Sequence, residues 1–90
     1  MKVVKVTRQW KQWDAGHRVA LRFKTYDSQA RTVETIARQA FESSGWDRRG
    51  AYYSWFGAKC GRNTYRPYFI SFLDEKSLTF VLLQAGLTPK

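Results

Sequence analysis

Cationic and apolar side chains alternate along residues 17–26 of this chain. The cationic set is Arg18, Arg22 and Lys24, and the apolar set is Val19, Leu21 and Phe23. Because successive side chains of a strand point to opposite faces, this alternation predicts a strand with one buried face and one basic, solvated face. A basic sheet face is suited to contacts with a polyanion, so the pattern indicates binding more than catalysis.

Residues that could perform catalysis are few and isolated. His17 is the sole histidine and follows a turn, where we expect a surface histidine with no catalytic partner in reach. Cys60 lies between Lys59 and Arg62, which could lower its thiol pKa, but a lone loop thiol is typical of an incidental residue. One cysteine and one histidine cannot build a structural zinc site. We therefore expect no enzyme activity, no catalytic residues, no metal and no cofactor.

The composition predicts one small, strongly basic domain. The 90 residues carry 16 Lys and Arg against 7 Asp and Glu, which gives a net charge of +9 and favours an anionic partner. The hydrophobic share of 43% is high enough for a folded core. We expect a single domain over residues 1–90 with a loose tail at residues 88–90. One cysteine, no signal-like segment and no apolar run of membrane length predict a cytoplasmic protein without a membrane partner.

Two strands at the start of the chain are predicted to form a hairpin. The first is expected over residues 3–13 and the second over residues 17–26, with a turn centred on Ala15-Gly16. This turn would pair Trp10 with Leu21. The register would place the apolar side chains of both strands on one face and the cations on the other, except Arg8, which falls on the apolar side opposite Phe23.

The rest of the chain predicts two helices and two more strands. The first helix begins at the cap Asp27-Ser28 and ends at Gly45-Trp46, and the second begins at Asp74-Glu75 and ends at Gly86-Leu87. Their apolar stripes are Val33, Ile36, Ala37, Ala40 and Phe41, and Leu78, Val81, Leu82 and Ala85. Residues 51–58 and 65–73 are rich in aromatic residues and are expected to be strands. Residues 78–83 would also suit a fifth strand.

The resulting order ββαββα predicts an α+β fold. From the second strand onward it is the order of a ferredoxin-like fold that lacks its last strand. The first strand can fill that place, because it pairs antiparallel beside the second. We therefore expect a four-stranded antiparallel sheet with both helices on one face and the other face open.

The open face and the basic loops are the predicted binding surface. Cations suit phosphates, and aromatic rings suit bases that have left a stack, which points to RNA or single-stranded DNA. The predicted phosphate contacts are Lys5, Lys11, Arg18, Arg22, Lys24, Arg48, Arg49, Lys59 and Arg62, and the predicted stacking residues are Trp13, Tyr26 and Phe69. The alternative for the strand cations is that they keep an exposed sheet face soluble and protect its edges.

A protein–protein module is the second hypothesis. If Tyr68, Ile70 and Phe72 face the helices, then Tyr65 and Phe69 face outward. Exposed aromatic patches of this kind are typical of a dimer interface or of an adaptor or inhibitor surface. A homodimer or another protein partner is therefore an alternative to nucleic acid.

Two known families provide comparisons at the level of motifs. Residues 66–72 lack the glycine of the RNA-recognition signature and have Pro67 in its place, so that family is not indicated. The Gly45-Trp46 helix end, the strands after it and the closing residues 82–87 resemble the small HicA-type mRNA-cleaving toxins over the last two-thirds of the chain. This resemblance implies a double-stranded-RNA-binding-like α-β-β-β-α fold and RNA cleavage. The catalytic Gly-Ser-His motif of that family is absent from the expected region, and an RNA-cleaving activity would instead depend on His17.

Overall fold

The computed structural model describes residues 1–41, 51–57 and 66–87. Its elements are β1 (Lys2–Lys5), α1 (Lys11–Asp14), β2 (Val19–Phe23), α2 (Ser28–Phe41), β3 (Tyr52–Phe56), β4 (Tyr68–Phe72) and α3 (Glu75–Ala85). The four strands form one antiparallel sheet in the order β1-β2-β4-β3. The predicted α+β class and four-stranded antiparallel sheet are confirmed. The strand order is compatible with a ferredoxin-like arrangement in which β1 takes the place of the last strand.

Both long helices begin at an aspartate. The Asp27 Oδ1 atom accepts a hydrogen bond of 2.9 Å from the Ala30 backbone N–H, and Asp74 Oδ1 accepts one of 2.9 Å from the Ser77 N–H. Each bond satisfies a backbone donor that has no partner within the helix. The backbone bond from Ser77 also holds the pKa of Asp74 below its usual range. The predicted caps are confirmed at both positions.

Residues 78–83 belong to helix α3 and not to a fifth strand, and the helix ends at the predicted glycine. Gly86 has a left-handed backbone with φ of 68°. Its N–H donates to the Leu83 carbonyl at 3.2 Å, and the Leu87 N–H donates to the Leu82 carbonyl at 3.0 Å. These two bonds satisfy carbonyls that would otherwise lack donors. The other predicted glycine ending, Gly45-Trp46, lies outside the described residues.

The core lies between the sheet and the paired helices α2 and α3. Its buried members are Val19, Leu21, Phe23, Tyr52, Tyr68, Ile70 and Phe72 from the strands and Ala30, Val33, Ala37, Leu78, Val81 and Leu82 from the helices. Every second residue of β2 and β4 therefore faces the helices, as the alternation predicts. None of the helices within the described ranges is long and apolar enough to cross a membrane.

The pairing of β1 with β2 differs from the predicted register. Val3 lies opposite Leu21, and Lys5 lies opposite Val19, so the predicted pairing of Trp10 with Leu21 is wrong. The two registers differ by an odd number of residues, which exchanges the faces of β1. Lys5 consequently lies on the helix side of the sheet. The strand ends at Lys5, and residues 11–14 form a single helical turn where a continuous strand was predicted.

The segment between β1 and β2, residues 6–18, folds over part of the second sheet face; we call it the β1–β2 connection. Val6 and His17 of this connection are buried. Ala20 and Ser71 are also fully buried beneath it, although they alternate with the core residues along their strands and so lie on the sheet face away from the helices. The His17 Nδ1 atom lies 2.6 Å from the Ser71 Oγ atom, which ties the connection to β4. The prediction of a surface histidine is wrong, because His17 is completely buried, and the predicted open face is open only in part.

A second polar contact ties β4 to α2. The Tyr68 hydroxyl donates a hydrogen bond of 2.6 Å to Glu34 Oε2. Burial raises the pKa of the Tyr68 phenol, and the bond to Glu34 raises it further. The other carboxylate oxygen of Glu34 lies 3.5 Å from the Arg38 guanidinium, which makes an i,i+4 ion pair on α2.

We expect Ser71→Ala to lower the free energy of unfolding by about 1–3 kcal/mol, because it removes a buried hydrogen-bond partner of His17. Urea denaturation followed by circular dichroism measures this change. Thr79→Ala is the matched control, since it deletes an exposed hydroxyl on α3. Equal stabilities for the two variants would contradict the structural role of the His17–Ser71 contact.

We expect the Tyr68 phenol to remain protonated above the ordinary tyrosine pKa of about 10. Its raised pKa contributes stability that is fully present below about pH 10 and is lost as the pH rises further, because the unfolded chain ionises first. A pH titration of tyrosine absorbance should therefore show a late-titrating phenol that Tyr68→Phe removes. If the wild type and Tyr68→Phe gave the same titration curve at high pH, the assignment of the late-titrating phenol to Tyr68 would be wrong.

Candidate functional site

A row of four side chains crosses the sheet on the face opposite α2 and α3. Lys2 lies opposite Arg22, Arg22 lies opposite Phe69, and Phe69 lies opposite Trp55. Directly opposed residues of neighbouring antiparallel strands have Cβ atoms roughly 5 Å apart. This cross-strand row (Lys2, Arg22, Phe69, Trp55) therefore joins two cations to two aromatic rings without interruption.

The cationic end of the row is extended by one more residue, and we call Lys2, Arg22 and Lys24 the basic half. The three residues are exposed. With Met1 they line a shallow groove of about 390 Å³. Within the described ranges, none of the three forms an ion pair with a carboxylate. Their charges are therefore directed to solvent, where an anionic ligand could neutralise them.

The aromatic end of the row is a cluster of half-buried rings, Trp10, Tyr53, Trp55 and Phe69, which we call the aromatic half. The Trp55 and Phe69 rings are nearly parallel, with centroids 5.1 Å apart and an interplanar angle of 12°. Tyr53 continues this arrangement at 5.5 Å and 21° from Trp55. Trp10, from the β1–β2 connection, meets Trp55 edge-on at 6.0 Å and 89°.

Gly57 holds this end of the β3–β4 pair close to Phe69. A Cβ atom at Gly57 would lie 2.7 Å from the Phe69 ring and 2.9 Å from Pro67 Cγ, so no other residue fits without a shift. The Gly57 N–H donates to the Pro67 carbonyl at 2.8 Å, which continues the pairing of the strands. The position of the Phe69 ring is therefore set by backbone geometry as well as by ring packing.

The structure brings together three of the residues predicted from the sequence. Arg22, Lys24 and Phe69 lie on one face, as the strand alternation indicates. Arg18 lies at the other end of β2, where its guanidinium covers the Trp13 ring at 3.6 Å and donates to the Trp13 carbonyl at 3.0 Å. Both Arg18 and Trp13 are thus already engaged with each other.

The remaining predicted residues fall elsewhere. Lys5 was expected on the basic face but lies on the helix side because of the β1 register, and Lys11 lies on the short helix α1. Tyr26 lies beside Phe56 and Tyr68. The side chains of these two residues face the helix side of the sheet, away from the aromatic half. The basic residues predicted in the loops lie outside the described residues, as does Tyr65; they are Arg48, Arg49, Lys59 and Arg62.

The sequence interpretation missed four residues of this surface: Lys2, Trp10, Tyr53 and Trp55. Tyr53 and Trp55 are two residues apart on one strand and so share a face, a signal that the sequence contains. The place of Lys2 on this surface could be predicted only with the correct register of β1. The place of Trp10 depends on the path of the β1–β2 connection, and no local sequence pattern predicts that path.

Catalytic features are weak in the described part of the chain. No group of three or more His, Cys, Asp or Glu side chains could hold a metal ion there. His17, on which an RNA-cleaving activity was expected to depend, is fully buried and bonded to Ser71. The surface described above is suited to binding a ligand that carries both negative charge and flat rings.

The chain was compared with protein-family models, curated proteins and solved structures, and none of them matches it. Function is therefore inferred from the geometry and chemistry of this sheet face.

Proposed function

We propose that this protein binds single-stranded nucleic acid, either RNA or single-stranded DNA, on the sheet face opposite α2 and α3. The observation that carries the proposal is the cross-strand row, in which Lys2 and Arg22 continue directly into Phe69 and Trp55. A polynucleotide strand has the same two components, since phosphates lie on one side of each nucleotide and a flat base on the other.

The basic half supplies the phosphate contacts. Lys2, Arg22 and Lys24 are exposed and are not neutralised by a described carboxylate. Each phosphate that such a cation contacts releases counterions, so the affinity should fall with increasing salt by about 0.7 logarithmic units of affinity per logarithmic unit of salt for each contact. The net charge of +9 also speeds the encounter with a polyanion.

The aromatic half supplies the base contacts. Its rings are half-buried and packed on one another, so the parts that remain exposed are held in place for contact with bases. Base–aromatic stacking tolerates any base sequence and requires bases that are free of a duplex stack. A single strand meets this requirement, and a base-paired duplex does not.

We expect the double variant Arg22→Glu, Lys24→Glu to abolish measurable binding to a fluorescent single-stranded oligonucleotide at low salt, because it places negative charges beside the phosphates. Fluorescence polarisation across a salt series measures the affinity and its salt dependence. Both residues are exposed, so the thermal unfolding transition should remain close to that of the wild type.

The double variant Arg31→Glu, Lys76→Glu is the matched control for this charge reversal. It changes the net charge by the same amount at exposed positions of α2 and α3. We expect it to retain most of the affinity. Equal losses in the two double variants would mean that net charge alone drives binding, and unchanged affinity in Arg22→Glu, Lys24→Glu would refute the proposed surface.

We expect Trp55→Ala to weaken single-strand binding by about 1–3 kcal/mol, the usual contribution of one stacked base. Phe80→Ala is the control, because Phe80 is an exposed aromatic residue of α3 on the helix side of the sheet. Light scattering of the wild type accompanies the titration. A tight dimer that Trp55→Ala dissociates would show that the aromatic half is a protein contact, contrary to the proposal.

A further inference from the structure

A second groove lies at the β3 edge of the sheet, against α2. Its volume is about 370 Å³, which is in the range of small-molecule sites. Tyr53 and Trp55 of the aromatic half line it on one side. The other lining residues are Tyr26, Glu34, Ser54, Phe56 and Tyr68. The side chains of Ser54, Phe56 and Tyr68 lie on the helix side of the sheet, so the groove adjoins the proposed binding surface around the β3 edge.

Three rings make the apolar wall of this groove. The Tyr26 and Tyr68 centroids are 4.7 Å apart at an interplanar angle of 65°, and the Phe56 and Tyr68 centroids are 4.9 Å apart at 67°. Phe56 is 49% exposed and Tyr26 is 37% exposed, so both rings offer area to a ligand. A flat ring can stack on either of them without disturbing the buried Tyr68.

Glu34 supplies the polar group of the groove. Its side chain is only 18% exposed, and its Oε2 atom accepts the hydrogen bond from the Tyr68 hydroxyl at 2.6 Å. Its Oε1 atom lies 3.5 Å from the Arg38 guanidinium, whose side chain is 61% exposed. A carboxylate has about four acceptor sites, so further hydrogen bonds can be accepted.

We propose that this groove is a base pocket that takes a guanine from the bound strand, with Glu34 accepting hydrogen bonds from guanine N1–H and the 2-amino group. The proposal rests on the single-strand binding proposed above. Guanine is the base whose Watson–Crick edge presents two adjacent donors, and one carboxylate can accept both. Adenine and cytosine present one donor beside an acceptor, which the carboxylate would repel.

Cations at both sides of the groove suit the phosphates that flank such a base. The Arg66 guanidinium lies 5.8 Å from the Phe56 ring and donates to the Gly57 carbonyl at 2.7 Å. Arg38 lies on the α2 side. The Tyr68 phenol, whose pKa is raised by burial, stays a hydrogen-bond donor and holds the carboxylate in its position.

The test uses short oligodeoxythymidine strands that carry one central guanine, inosine, adenine or thymine. Inosine lacks the 2-amino group of guanine and is otherwise the same base. We expect the wild type to bind the guanine strand about tenfold more tightly than the inosine strand, within the usual range for a paired base contact. In Glu34→Gln, which replaces one acceptor oxygen by a donor, the preference for guanine over inosine should disappear.

Glu75→Gln is the matched control, because it makes the same chemical change at an exposed position of α3, and it should keep the preference for guanine. Affinity for the all-thymine strand should be the same in all three proteins, and a cooperative thermal unfolding transition in each shows that all three are folded. Equal binding of all four strands by the wild type, or a preference that survives Glu34→Gln, would overturn the base pocket and leave single-strand binding standing. Failure of every strand to bind would overturn both proposals.

Discussion

The pairing of Val3 with Leu21 is the constraint on which the binding face depends. It puts Val3 against the core and Lys2 beside Arg22, so the cations of two strands meet on one face. A slip by one residue would turn Lys2 toward the helices and Val3 toward solvent. The burial of the apolar side chains therefore fixes the position of the charged ones, and the basic half is a consequence of core packing.

The same register shortens β1 and frees the β1–β2 connection to cover part of the second sheet face. The connection buries His17 against Ser71 and sets Trp10 against Trp55 and Phe69. A buried hydrogen bond of this kind is costly to break, because neither group can form a replacement hydrogen bond with water. The sheet thus has a covered end, which gives stability, and an uncovered end, where charge and aromatic area remain accessible.

The two proposed ligand contacts meet at the β3 edge of the sheet. Phe69, Trp55 and Tyr53 run from Arg22 to this edge on one face, and the groove that contains Glu34 lies on the other face. Aromatic rings serve both purposes because they combine large apolar area with few rotatable bonds. In the proposed arrangement, general affinity would come from the basic half and the rings, and base preference would come from a single carboxylate.

Local patterns in the sequence determined most of the architecture. The alternation in β2, the aspartate caps and the Gly86 helix end each depend on residues within a few positions of one another, and the structure confirms them. The apolar stripes are also present, except that Ala40 of the first stripe is exposed. The face shared by Arg22, Lys24 and Phe69 followed from the same period of two. These features are predictable because their physical causes are local backbone geometry and solvation.

Tertiary structure alone decided the register of β1, the burial of His17 and the membership of the aromatic half. Val4 and Val6 alternate with Lys5 as a core-facing strand would, yet Val3 packs on the core and Val6 is buried within the connection. Both registers satisfy the local pattern, and the choice between them depends on which one also lets Gln12 and His17 be buried and Trp10 be half-buried. The burial of these side chains depends on contacts between residues more than 50 positions apart, such as His17 and Ser71. The register of β1 is therefore decided by the packing of the whole chain.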